Sequence, residues 1–263
     1  MLRSLSISEQ ISTSVRNTLK AFVSIKDAKL NWVFLTPFLI YLILFVFGFS
    51  LTNSLHDKAM VWIESGIENW IKDSDFLSPI FSVTSVFTWI IIKISLFILF
   101  AIFSGYITLI VLAPLLTYVS EKIDESTSGK HYPFKLSKFL RDLLRAVYIA
   151  LRNATMQLLF TLLFIIIGLI PGLNIIAIPG LFLISAYYYG FSFIDYSFER
   201  AGFSIKEGIV EVRRLKFVAI TLGSIFLITN MIPWIGMFIS TLIIFPLVGS
   251  ATLVIGKLDR EES

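Results

Sequence analysis

Two stretches of this chain, Asn153 to Ile194 and Phe217 to Gly256, run for 42 and 40 residues without a single formal charge. Runs of 18 or more apolar residues have no stable place in water, and they read as membrane helices. Val33 to Leu51 adds 19 uncharged residues, about 28 Å of helix against a hydrocarbon core of roughly 30 Å. Phe81 to Leu116 is apolar apart from Lys93. Charged residues make up 15% of the 263, where a soluble domain carries about 25%. The chain is therefore read as an all-α integral membrane protein.

Composition also removes most chemistry. Zero cysteines exclude disulfides, thiol nucleophiles and Cys-ligated metals, and two histidines, His56 and His131, leave no metal site. No cofactor is expected and an enzyme is not. A net charge of +4, scattered, suits lipid head groups better than nucleic acid, so anionic membrane lipids are expected partners and nucleic acid is not.

Charge bias sets the sides. Residues 119 to 152 carry seven bases against four acids, and residues 1 to 32 carry five against two, whereas 53 to 85 carries five acids against two bases. By the positive-inside rule both termini are cytoplasmic and the acidic loop is external, in a multi-pass membrane protein. One membrane domain results. It divides into an interfacial segment 1–32, a first span 33–52, an external loop 53–80, a second span 81–118 with a kink or boundary at Pro114, and a cytoplasmic amphipathic segment 119–152. A first hairpin 153–194, a cytoplasmic linker helix 195–216, a second hairpin 217–256 and a tail 257–263 follow.

Each hairpin bends at an Ile-Pro step: Ile170-Pro171-Gly172-Leu173-Asn174, closed by Ile178-Pro179-Gly180, and Ile232-Pro233-Trp234. The legs Thr155 to Ile170 and Phe217 to Ile232 are 16 residues each, about 24 Å, and their turns lack the polar side chains that water requires. The spacing predicts re-entrant hairpins, with ordinary crossing hairpins as the alternative. Ile11, Val15, Leu19 and Phe22 line one face of an interfacial helix. Ser204-Ile205-Lys206-Glu207 is a capping box opening another.

Candidate functional residues are few. Lys93 lies inside an apolar run and either attracts an anion or snorkels to the outer interface. Asn174 at a hairpin tip either meets an anion near the start of a helix or satisfies bent backbone, as does Asn230. Gly168 to Gly172 and Ala186 to Gly190 are small-xxx-small pairs for close helix packing. Tyr187, Tyr188 and Tyr189 are expected in an interfacial belt, and Arg141, Arg145 and Arg152 on an anionic-lipid contact. Asp195, Glu199 and Arg200 are expected in an ion pair or helix-end contact. No phosphate-binding loop is present and few carboxylates fall in apolar runs, which points to passive, channel-like permeation.

The run Asp195-Tyr196-Ser197-Phe198-Glu199-Arg200-Ala201-Gly202-Phe203-Ser204, with Arg213-Arg214, Pro233 and Pro246-Leu247-Val248-Gly249, resembles the CysZ-type sulfate permeases and their eukaryotic relatives, the etoposide-induced membrane proteins. Leu112-Ala113-Pro114-Leu115 and Pro171-Gly172-Leu173-Asn174 match in order and spacing. The resemblance implies two long transmembrane helices, two partly penetrating hairpins, a homo-oligomer, and entry of sulfate. It also implies a sulfate-binding Gly-Leu-Arg-Arg-like segment before the first span, where this chain has Lys29-Leu30-Asn31-Trp32, without either arginine. Two functions follow. One is an anion permease using Lys29, Asn31, Lys93 and Asn174; the other is a non-transporting membrane-organising protein on the same scaffold.

Overall fold

The computed structural model describes residues 5–39 and 105–262. Most of the first span, the loop after it and the start of the second span, with Lys93, lie outside the described residues. Among the described residues the helices run in the order α1 (Ile7–Asp27), α2 (Gly105–Ser128), α3 (Leu136–Gly168), α4 (Asn174–Arg200), α5 (Ile205–Arg214), α6 (Lys216–Asn230) and α7 (Gly236–Glu262), with a 3-10 turn at Asn31–Leu35 leading into helical residues 36–39. No strand occurs among the described residues. By length and composition α2, α3, α4 and the Phe238–Leu258 part of α7 can each cross a membrane. The all-α membrane class expected from the sequence is thus observed. At 15 residues, α6 rises only about 22 Å.

Local chemistry sets the ends. Ser6 and Ser204 each open a helix with a complete capping box, the Glu three residues on reaching back to the serine amide at 2.8 Å. These bonds from Ser204 hold the Glu207 carboxyl below the usual carboxylate range. Lowering the pH through that depressed value therefore weakens the carboxylate half of the α5 capping box, while the Ser204 hydroxyl keeps its bond to the Glu207 amide.

Helix α3 differs from the sequence expectation. The border at 152/153 is one of charge, and the backbone ignores it: Leu136 to Gly168 is one helix of 33 residues, about 50 Å long. The amphipathic segment and the first hairpin leg are a single rod. Pro114 is likewise no boundary, since α2 is helical on both sides of it. Ile178-Pro179-Gly180 does not close the first turn either; α4 starts at Asn174 and Pro179 sits inside it, costing one backbone bond at its early position. Pro246 lies inside α7 in the same way.

Helices α4 and α6 pair antiparallel, whereas α4 and α7 run side by side in the same direction. α4 packs on α3 and α6, α7 packs on α6 and α4, and α1 lies along α7 and α6. At the α4–α6 crossing two small-xxx-small pairs interlock. A Cβ on Gly190 would come 1.8 Å from the Ala219 carbonyl oxygen, and one on Gly223 would come 1.8 Å from that of Ala186. Only glycine permits this backbone contact. The outer faces are apolar, as lipid requires. Leu144, Leu159, Ile166, Ile175 and Ile178 are exposed, and Trp234 at the second tip is 96% exposed.

Helix α1 turns its faces in an unusual direction. Ile7, Ile11, Val15, Leu19, Phe22 and Val23 are exposed, while Gln10, Ser14, Asn17 and Thr18 are buried against the bundle. Gln10 bonds the Arg214 carbonyl and accepts from the Phe217 amide, and Ser250 donates to the Ser14 carbonyl at 3.0 Å.

Candidate functional site

The segment from Asp195 to Ser204 ties the charged end of the bundle together. Its geometry begins with a helix stop. Gly202, at φ +83°, takes the left-handed conformation, so its amide reaches the Glu199 carbonyl and the Phe203 amide reaches that of Phe198, both at 3.0 Å. The Phe198 and Phe203 rings then meet at 5.1 Å, completing a Schellman stop. Ser204 caps the next helix at once.

This stop aims the Phe203 carbonyl at Arg145 on α3, which donates to it through Nη1. The same guanidinium grips Asp195 with a two-pronged bond, Nε to Oδ2 at 3.0 Å and Nη2 to Oδ1 at 2.8 Å. Both side chains are sealed, at 10% and 5% exposure. Gly208 of α5 makes room, for a Cβ there would meet Arg145 Nη2 at 3.2 Å. Arg145 is therefore no lipid contact, in contrast to the stripe expected from spacing. Arg141 does stay exposed, and Arg152 lies over the Phe191 ring at 5.0 Å.

Around Arg145 stand more acids than bases. Asp142 and Asp195 are buried, and both Glu199 oxygens are sealed without a hydrogen-bond partner among the described residues; Glu211, buried on α5, pairs instead with Arg214 at 3.4 Å. No such concentration was legible along the chain, because these carboxylates lie some 50 residues apart in it, on α3 and α4.

Next to it lies a second knot. Arg200, with a side chain 3% exposed, donates from Nη1 to the Ser120 carbonyl at 3.0 Å and to the Ser120 hydroxyl at 2.8 Å, and its Nε stands 3.6 Å from Asp124. Ser120 shares a hydrogen bond with Thr252 at 2.9 Å, and Thr252 another with Ser197 at 3.2 Å. Tyr132 donates to Asp124 at 2.6 Å, and burial, with that bond, pushes its hydroxyl up to about 12. Asp195 and Arg200 each pair with a residue that the sequence did not name, Arg145 and Asp124, and Glu199 has no hydrogen-bond partner among the described residues.

Deeper in the bundle the side chains are polar but neutral. Asn153 donates to Ser192 at 3.0 Å, Tyr106 to Gln157 at 2.8 Å, and Gln157 to Ser185 at 3.1 Å. Asn153, Gln157 and Thr161 recur every four residues in an otherwise apolar run, a legible stripe that went unread. Tyr188 and Tyr189 are buried, Tyr189 stacked on Tyr106 at 5.1 Å, so they do not form the interfacial belt expected of them.

The residues expected to bind anion are not gathered in one place. Lys29, with φ +57°, and Asn31 are exposed at the end of α1, and Trp32 meets the Tyr118 ring at 6.2 Å. Asn174 is exposed at the first tip, about 40 Å along α4 from Arg200. Pro171 and Gly172 (φ +88°) shape that tip and Pro233 the other. Asn230 donates to Ser240 at 3.0 Å, joining α6 to α7. Pro114 is exposed on α2.

No curated protein matches the chain. A family model described as sulfate transporter CysZ/etoposide-induced protein 2.4 does match, over residues 17–240. That span takes in the helix stop at Gly202, the Arg145–Asp195 pair, both hairpin tips and the Lys29 segment, and on it the chain belongs to the sulfate transporter CysZ/etoposide-induced protein 2.4 family.

Proposed function

We propose that this protein lets sulfate or a related inorganic anion pass through the bacterial inner membrane. In this reading the charged end, with both termini, faces the cytoplasm, the apolar hairpin tips end within the membrane, anionic lipids surround a homo-oligomer, and no chemistry is performed on the anion. The supporting observation is the neutral ladder of Asn153, Ser192, Tyr106, Gln157 and Ser185 inside a bundle whose outside is apolar. Hydroxyl and amide donors suit an anion path, since they replace water without holding the ion as a fixed charge would. The apolar side chains at the tips, such as Leu169, Ile175 and Trp234 with Asn174 beside them, support the re-entrant placement, in which neighbouring copies of the chain would cover the bent backbone.

The test is uptake of labelled sulfate into liposomes holding the purified protein, with chloride and phosphate in parallel. Saturable sulfate flux is expected, and neutralising Lys29 or Lys93 is expected to lower it about two- to fivefold by removing a steering charge. Passive entry predicts equal initial rates with and without an inward proton gradient. A rate that follows the gradient would assign the coupling to the carboxylates around Arg145. The second reading, a membrane-organising protein, is favoured by the absence of arginine from Lys29-Leu30-Asn31-Trp32. Absence of all anion flux from folded protein would select it.

A further inference from the structure

Helices α3 and α4 are joined by a series of polar rungs: Gln157 to Ser185, Asn153 to Ser192, then Arg145 to Asp195. Asp142 lies three residues before Arg145 and Glu199 four after Asp195, so the antiparallel register sets these two carboxyls opposite each other as the next rung. Asp142 is buried, and both Glu199 oxygens are sealed with no hydrogen-bond donor among the described residues; the side chain that Glu199 meets is Asp142, another acceptor. The charged groups around them do not supply the missing donor. Arg145 attracts Glu199 through space, but it donates to Asp195 and to the Phe203 carbonyl. Arg141 stands 3.7 Å from Asp142 with its side chain 77% exposed. Tyr196 of α4 donates to the Leu109 carbonyl at 3.1 Å, Glu121 of α2 pairs with Lys138, and α5 meets Arg145 and Asp195 with the uncharged Gly208. Two ionised carboxylates so placed repel each other and leave their lone pairs unmet, whereas one proton between them turns one carboxyl into a donor and removes both costs.

We propose that Glu199 and Asp142 form a proton-binding site, in which Glu199 carries the proton and donates it to the Asp142 carboxylate. The proton enters and leaves by Asp142, which opens onto a cavity of about 170 Å3 lined also by Glu121, Lys138, Tyr118 and Phe139, with room for several waters. Bound, the proton makes the last rung between α3 and α4 a hydrogen bond. Released, it leaves two like charges there, and the charged ends of the two helices must part to let water reach them. The joint is thus a latch that holds at neutral pH and loosens in alkali. It is a property of the fold and holds whether or not an anion passes.

The experiment takes infrared spectra of the full-length protein in detergent as the pH is raised. At about pH 7, where a free carboxyl is ionised, the parent is expected to show the carbonyl band of a protonated carboxylic acid, and Glu199→Gln is expected to lack it. Glutamine has the shape of the protonated acid and donates to Asp142 in its place, so the variant is expected to fold. A second readout is the ratio of folded to unfolded protein in a detergent-unfolding titration. The unfolded chain gives up this proton above about pH 4 and the folded pair keeps it, so the proton is bound on folding and stability falls as pH rises. Between about pH 5 and the pH at which the pair lets go, the ratio is expected to fall about tenfold more per pH unit in the parent than in Glu199→Gln. Glu121→Gln, on the cavity but outside the pair, is expected to keep both the band and the slope. Absence of the band from the parent at neutral pH, or a band and slope that survive in Glu199→Gln, overturns the proposal. Failure of Glu199→Gln to fold would also count against it, since the amide reproduces the protonated acid. Neither readout depends on anion flux.

Discussion

Gly223→Ala is expected to destabilise the protein, although alanine is the better helix former by about 1 kcal/mol. Its new methyl would stand 1.8 Å from the Ala186 carbonyl oxygen, and backbone cannot step aside as a side chain can. Helices α4 and α6 must separate, which opens the contact along the whole crossing. Overpacking of this kind costs about 1–3 kcal/mol for one methyl, and Gly223→Leu exceeds what the fold can absorb. Gly190→Ala meets the Ala219 carbonyl from the other helix and is expected to behave alike. Gly180→Ala is the control. The group it would strike is the Phe164 ring, a side chain free to rotate, so its melting temperature is expected to stay near that of the parent. Thermal unfolding in detergent, followed by gel-filtration fluorescence, reads all three. Equal melting of Gly223→Ala and the parent would show that the crossing is looser than described.

Removing one partner of the Arg145–Asp195 pair is expected to cost more still. A buried charge left alone loses about 3–5 kcal/mol, because its desolvation is no longer offset. Arg145→Ala leaves Asp195 beside Asp142 and Glu199 without the cation that pairs with it, and it also strips the Phe203 carbonyl of its donor. Asp195→Ala is expected to be milder, since Arg145 keeps that carbonyl and the other acids. The double variant Arg145→Met with Asp195→Leu should recover much of the loss, as buried pairs exchanged for apolar residues often do. A double-mutant cycle on melting temperatures tests this. Additive losses would mean that the two side chains act independently.

Much of this architecture was legible in the residues. The uncharged runs gave the helices, the Ile-Pro steps gave both hairpin tips, and Ser204 with Glu207 gave the start of α5. What stayed hidden depended on partners far along the chain. Arg145 shares its spacing with Arg141 and Arg152, and only an aspartate 50 residues away decides that it turns inward. The length of α3 was misjudged because a change from charged to apolar residues marks a change of surroundings, which a helix can cross unbroken. Pro179 read as the close of the turn because proline lacks the N–H that a helix interior uses, yet here it falls in the second turn of α4. The tyrosines were assigned by type rather than by phase, and phase puts Tyr188 and Tyr189 on packed faces of α4. Of the expected anion site, Lys29 and Asn31 sit together past the end of α1 while Asn174 opens α4, whereas Arg200 and Lys130, which line one cavity, came together only in the fold.

The orientation of α1 has a consequence for how the molecule is made. Its polar side is seated by Ser250, 236 residues later in the chain, and by the junction of α5 and α6. During synthesis α1 therefore emerges long before anything exists to receive Gln10 and Ser14, and its aliphatic side has only lipid to go to. It must wait on the membrane surface with its inner face wetted, and it docks when the second hairpin arrives. Assembly closes on the N-terminal helix, so chains shortened within α7 should carry α1 loose and open to protease while α3 and α4 are already paired.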